Sequence, residues 1–307
     1  MRAALAVLAA GAVLTACSGS DPEKPEAEPS ASAVPTPLDG EPVGIADVDG
    51  RPWVVLVGDG AVLTGDATRV KVGDAPLRIV DTPAGVWVSV IHDGTVVRID
   101  PATGEVDRRV KVRPAGSEPE GLAWDGSSLW VVDQAGERVL ELDGDGRLQA
   151  SYDVGQAPWL VGAGDSGVFV TNYGGTSVSR VADGEATTVP VVGCVGAQGV
   201  VEAAGKVWVS CTVSHKVVVL DPATLEQLGE VTDLTDADAV VADGTTVYVV
   251  GQSGPTVYAI DAESEELVST TRLGDTAATQ ENVGAAVVGT DLVVTHPDVG
   301  LFTLPLG

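Results

Sequence analysis

Basic side chains are scarce in this chain. Across 307 residues, 17 Lys and Arg stand against 44 Asp and Glu, a formal charge of −27. Affinity for nucleic acid rests on Lys and Arg that neutralise phosphates, so no nucleic-acid partner is expected. The same excess disfavours docking on anionic lipid by charge. Histidine and cysteine are scarce, at three residues each. No ligand series of metal-site spacing is present, so neither a metal nor another cofactor is expected. Past the first residues, no apolar run approaches the roughly 20 residues that a membrane-spanning helix needs. A Ser-His-Asp order and a nucleophile elbow are both missing, and Gly174-Gly175 lies in a loop rather than in a strand–glycine–helix phosphate cradle. No catalytic residue is therefore assigned.

The first residues are organised differently from the rest. Arg2 precedes an apolar stretch, Ala3 to Val13, that is too short to span a bilayer. Leu14-Thr15-Ala16-Cys17 follows and resembles the bacterial lipobox, in which small residues precede a cysteine that receives lipid. An ordinary signal peptide is the alternative. Residues 1–16 are thus expected to be a lipoprotein signal peptide and Cys17 the lipidated residue. Residues 17–41, with Pro22, Pro25, Pro29, Pro35 and Pro37 among Ala, Ser and Glu, form a tether that cannot repay chain ordering. The expected location is extracytoplasmic, on the outer face of the bacterial cell membrane, with the lipid as the membrane attachment.

What is present from residue 42 onward is a repeat. A turn residue is followed 11 positions later by an apolar, usually aromatic one: Pro42/Trp53, Pro76/Trp87, Pro119/Trp130, Pro158/Phe169, Ala197/Trp208, Ala237/Tyr248 and Glu281/Leu292. Successive occurrences lie 34 to 44 residues apart. Within each repeat the units are short, β-branched and bounded by Gly, Pro or Asp, with no helical period. In the second they are Leu77 to Val80, Gly85 to Val90, Gly94 to Asp100 and Val106 to Val112. Asp100-Pro101-Ala102-Thr103-Gly104 supplies a tight turn between the last two, and Asp143-Gly144-Asp145-Gly146 reads as a hairpin turn rather than a calcium loop. Seven units of this length predict an all-β fold, a seven-bladed β-propeller of four-stranded antiparallel blades over residues 42–307. The last repeat holds only three strands, so residues 36–42 are expected to complete it and close the ring. The marked column, Trp53 through Leu292, belongs to the second strands and packs between blades. It is core rather than a stacking platform for sugars or bases.

Phe169-Val170-Thr171-Asn172, with Phe for Tyr, and the Asp-Pro-Ala-Thr-Gly turn resemble bacterial propellers built on a Tyr-Val-Thr-Asn repeat, the YVTN-type propellers. That resemblance covers about residues 42–307 and implies an extracytoplasmic binding or scaffold protein. More distantly the chain is similar to the propeller of streptogramin lyases, which implies a metal-dependent lyase or hydrolase as the alternative activity. No lyase motif is matched residue by residue.

Two loops per blade meet where the channel opens, one leading into the first strand and one leaving the second. One position after each turn marker stand Val43, Leu77, Glu120, Trp159, Gln198, Asp238 and Asn282, with Arg78 next to Leu77. Asp133, Asn172, Tyr173 and His296 follow the marked column closely. A ligand-binding mouth is expected from Arg78, Glu120, Asp133, Trp159, Asn172, Tyr173, Gln198, Asp238, Asn282 and His296, because a mixed aromatic and polar lining suits a small molecule, a peptide or an envelope protein. A rim wetted by channel water is the alternative. His92, His215 and His296 map to one rim, where three ligands could hold zinc with Glu120 as general base. They come from the second, fifth and seventh repeats, which spreads them apart. Cys194 and Cys211 fall on one rim of the fifth repeat and are expected to form a disulfide.

Overall fold

The computed structural model describes residues 35–276 and 282–306. Cys17 and the tether up to residue 34 lie outside them, as does Glu281. The described residues form seven four-stranded antiparallel sheets. The chain is a seven-bladed β-propeller. In the second blade the strands run Pro76–Thr82, Gly85–Val90, Thr95–Asp100 and Glu105–Lys111. The second strand is wholly buried, whereas the fourth alternates exposed and half-buried residues. This is the gradient expected of sheets that stand radially, with the second strand deep and the fourth at the circumference. Between the third and fourth strands, the Asp100 carboxylate accepts from the Ala102 amide (2.8 Å), and Gly104 takes the left-handed conformation that ends the turn.

The last blade is composite. Ala285–Val288, Asp291–His296 and Gly300–Pro305 are joined by Thr36–Pro37, which pairs with Gly300 and Leu301. The closing strand is thus two residues long and exposed. Ring closure rests instead on packing of Ile45, Val54 and Leu56 of the first blade against Val288 and Val293 of the last.

Each marked aromatic sits in a cluster shared by two neighbouring blades. Trp53 packs with Ile79 and Val88, Trp87 with Leu129 and Val131, and Trp208 with Val240 and Val249. Each large ring removes apolar area from water on two sheets at once, which binds the wheel together. In the last blade the column is displaced by one from the expectation. Val288 pairs with Asp291 across a two-residue turn as Val48 pairs with Arg51, so Val293, not Leu292, stands at the position of Trp53. The marker shifts with it from Glu281 to Asn282. No aromatic residue marks this blade, and Leu292 and Val293 are equally apolar, so composition could not set the register.

In six blades the inner strand starts with a register shift, for example between Pro42 and Ile45 and between Pro119 and Leu122. Such a bulge re-aims a side chain and leaves a backbone N–H without a ladder partner. In three of these blades, and at the same place in the last blade, a hydroxyl two positions after the packing column accepts from an inner-strand amide. Ser89 Oγ accepts from the Arg78 amide (3.0 Å), Thr171 Oγ1 from Leu160 (3.1 Å), Ser210 Oγ from Gly199 (2.7 Å) and Thr295 Oγ1 from Gly284 (2.7 Å). Three of them donate onward to the next blade: Thr171 to the Gln198 carbonyl (2.7 Å), Ser210 to that of Asp238 (2.6 Å) and Thr295 to that of Val43 (2.6 Å). At Thr171 and Ser210 one buried hydroxyl therefore repairs a bulge and latches two blades.

Candidate functional site

The channel along the axis is apolar at mid-height. A cavity of about 160 Å³ is lined there by residues such as Ile45, Ile79, Leu122, Val161, Val200 and Val240. On the upper face, where the loops lead into the inner strands, the bulges turn polar side chains toward the axis. Arg78 comes from the second blade, Glu120 from the third, Trp159 from the fourth, Gln198 from the fifth and Asp238 from the sixth. Asn282 comes from the loop entering the seventh.

These residues form one network. Arg78 Nη2 contacts Glu120 Oε1 at 3.4 Å. The Gln198 and Asn282 amides meet at 2.5 Å. With its amide oxygen turned inward, Asn282 accepts from Arg78 Nη2 (2.6 Å) and Trp159 Nε1 (3.2 Å), the orientation that satisfies the surrounding donors. Asp238 Oδ2 accepts from Gln252 Nε2 and from the Val283 amide, both at 2.9 Å. Asp238 Oδ1 has no hydrogen bond of ordinary geometry, although Gln198 stands beside it. Burial pushes the Asp238 carboxyl above the usual carboxylate range, opposed by the Gln252 and Val283 hydrogen bonds and by the Arg78 charge. Glu120, Gln198 and Asp238 are each no more than 2 % exposed. The mouth is thus filled by a polar plug rather than open to the channel. Beside it, the Trp159 and Tyr173 rings meet in a tilted arrangement with centroids 5.3 Å apart, and Tyr173 remains 36 % exposed.

Of the ten residues expected to line a mouth, Arg78, Glu120, Trp159, Gln198, Asp238 and Asn282 meet in this network, and Tyr173 adjoins it. Asp133 and Asn172 serve their own blades instead. The Asp133 carboxylate accepts from Arg138 Nε (2.9 Å) and from the Glu118 amide (2.9 Å). Asn172 Nδ2 donates to the Ser177 (3.1 Å) and Ser179 (3.0 Å) hydroxyls. His296 is fully buried at the end of its strand, with Nδ1 accepting from the Asp298 amide at 3.3 Å. All three occupy the third position after the packing column, following Val132, Thr171 and Thr295 respectively, where the second strand turns into its hairpin. A polar side chain there closes the hairpin, so polarity alone did not separate lining from capping. Gln252, which holds Asp238, was not among the expected site residues.

His92 stands by Asp74 at 3.4 Å and His215 by Asp236 at 3.5 Å, in different blades. Among the described residues no group of three or more His, Cys, Asp or Glu could hold a metal ion. The two buried carboxylates at the axis share their surroundings with a guanidinium, so the described residues do not fit a metal centre. Cys194 and Cys211 are joined by a disulfide with Cα atoms 5.1 Å apart. It pins the loop that leads into Ala197 and Gln198 to the end of the neighbouring strand.

Comparison with solved structures places this architecture among known propellers. A catalytically inactive histidine-to-alanine variant of virginiamycin B lyase from Staphylococcus aureus, with quinupristin, superposes with a TM-score of 0.78 at 15% identity, covering 90% of this chain and 99% of that one. A streptogramin B lyase gives 0.74 at 14% identity, over 88% and 95% of the two chains. The computationally designed Ika8 protein gives 0.63 at 14% identity, over 88% and 97%. The likeness is one of fold. No protein-family profile matches the chain, and no curated protein matches its sequence.

Proposed function

We propose that this chain is a binding protein of the cell envelope, a propeller tethered through lipid on Cys17 to the outer face of the membrane, whose upper face takes a small molecule, a peptide or an envelope protein. The observation that carries this reading is the convergence of polar side chains from six blades onto one end of the axis, beside a partly exposed aromatic pair. Blades that only needed to close could place apolar residues there, as the first does with Val43. Native mass spectrometry of the protein taken from its own membranes, followed by capture with the lipid-free form, tests it. A bound mass or partner lost on Trp159→Ala supports the reading. A bare protein in both experiments, or a partner indifferent to Trp159 and Tyr173, refutes it.

The fold likeness to two streptogramin B lyases motivates a second reading, a metal-dependent lyase or hydrolase. It requires stoichiometric divalent metal in the purified protein and breakdown of quinupristin on incubation. Elemental analysis beside that incubation separates the two readings, since a binding module retains its partner after EDTA.

A further inference from the structure

The charges at the axis do not balance. Among the described residues of the network, Arg78 is the one cation, and it faces two acids, Glu120 and Asp238. Asp238 is 1 % exposed, and its Oδ1 has no hydrogen bond of ordinary geometry, with the Gln198 amide beside it. A desolvated carboxyl poorly supplied with donors resists ionisation, and a cation brought near it stabilises the ionised form. The centre therefore discriminates by charge sign, and the excess of acid over base in the whole chain adds to the same field.

An apolar surface runs from this centre to the edge of the face. Trp159 Nε1 reaches the Asn282 amide, and the Trp159 ring packs at a tilt against Tyr173. Beyond Tyr173 lies Gly196, where an added Cβ would stand 3.2 Å from the Tyr173 ring and 3.1 Å from a Val213 methyl. Val213 is 55 % exposed, and on the facing loop Val195 is 47 % and Val192 83 % exposed. The Val213 amide donates to the Val195 carbonyl (3.2 Å), and the Cys194–Cys211 disulfide fixes the same loop. Exposed valines held this rigidly lose little entropy on binding, and a contiguous apolar patch beside a polar centre marks a binding surface.

Resting on the reading of this face as a binding surface, we propose that its ligand is a small amphipathic amine. The ammonium group settles over the Arg78–Glu120–Asp238 centre, and the apolar body lies on Trp159, Tyr173 and the Val195/Val213 crest. Aromatic faces at the centre's edge favour a cation as well as an apolar body. An anion of the same shape meets repulsion, and a neutral analogue gains only the apolar contact.

The test is isothermal titration of the full chain with 4-phenylbutylamine, 4-phenylbutanol and 4-phenylbutanoate at about pH 8, where the amine is protonated and free carboxyls are ionised. The amine is expected to bind about tenfold more tightly than the alcohol, and the carboxylate most weakly. Asp238→Asn should bring amine and alcohol together, whereas Val213→Ser should weaken both alike. Three equal affinities that Asp238→Asn leaves unchanged, or a carboxylate preferred over the amine, would overturn the amine assignment while leaving the face as a binding surface. Absence of binding by all three probes overturns it as well. The partner capture above then decides whether the binding surface survives without it.

Discussion

Replacing Thr295 by Val isolates the latch that joins the last blade to the first. The two side chains have nearly the same shape, so packing in the strand Asp291–His296 is preserved. What is lost is the hydroxyl that accepts from the Gly284 amide (2.7 Å) and donates to the Val43 carbonyl (2.6 Å). Thr295 is fully buried. Leaving a buried polar group unpaired costs about 1–3 kcal/mol, and two such groups at the low end of that range give roughly 2–3 kcal/mol. For a domain of this size each kcal/mol lowers the melting temperature by about 2–4 °C, so a drop of about 4–12 °C is expected. Thr295→Ser keeps the hydroxyl and should recover most of it. Scanning calorimetry of both variants beside a chain lacking residues 1–37 makes the comparison sharp. The closing strand removed in that truncation is two exposed residues long, so its loss should cost less than the single hydroxyl. A Thr295→Val protein that melts with the wild type, or a truncation that costs more, would refute the view that the ring is closed by the latch and the Val293 packing.

Three further outcomes follow from the same contacts. Burial raises the Asp238 carboxyl above its ordinary value of 3.8, among Arg78, Gln198, Gln252 and the Val283 amide, with Glu120 beyond Arg78. An acid whose folded pKa is raised favours the fold fully below its unfolded pKa, and that contribution is lost as pH climbs toward the folded value. Asp238→Asn should therefore gain on the wild type in thermal melts as pH rises from about 4, and a gap that narrows with pH would contradict the burial argument. Removing the Cys194–Cys211 disulfide, whose partners are 17 residues apart, should cost roughly 3 kcal/mol in denaturant titrations, and equal midpoints with and without reductant would count against it. Gly199→Ala would place a Cβ 2.5 Å from the Asp238 carbonyl and 2.9 Å from the Val240 amide, forcing the inner strand of the next blade outward. A loss of about 1–3 kcal/mol is expected in the same titration, and a neutral result would mean that the blades are not in the close contact described.

Blade number and the packing column were legible because both are written in large apolar residues at fixed distance from a turn. Trp53, Trp87, Trp130 and Trp208 announce themselves; Val293 does not, and there the register slipped by one. The bulges were not legible, since a bulge is a mismatch between two strands rather than a property of either. A partial trace was present in Ser89, Thr171 and Ser210, hydroxyls two places after the column, with Thr295 at the same place in the last blade, although Val55, Val132 and Val250 stand there in the other bulged blades. Read that way, Val293-Val294-Thr295-His296 aligns with Phe169-Val170-Thr171-Asn172 and restores the last blade's register. The site divides along the same line. Glu120, Gln198 and Asp238 meet at the axis because the bulge turns their column there. Asp133 and Asn172 were misplaced because their direction depends on the hairpin that follows them.

The plug at the axis is not required for closure. A buried ion pair is a weak stabiliser, since the cost of desolvating both charges can exceed their attraction, and apolar residues of similar volume often serve as well. This chain already shows the apolar solution at the equivalent position, with Val43 in the first blade and Val283 in the last, each 1 % exposed. Glu120, Gln198 and Asp238 therefore add polarity where the fold did not need it. The latches on Thr171 and Ser210 fix the Gln198 and Asp238 carbonyls, and so hold the backbone of two of these residues in place. Groups that are costly to bury, unneeded for packing and rigidly positioned are what a recognition surface requires, and this supports the proposal that the upper face is the binding face.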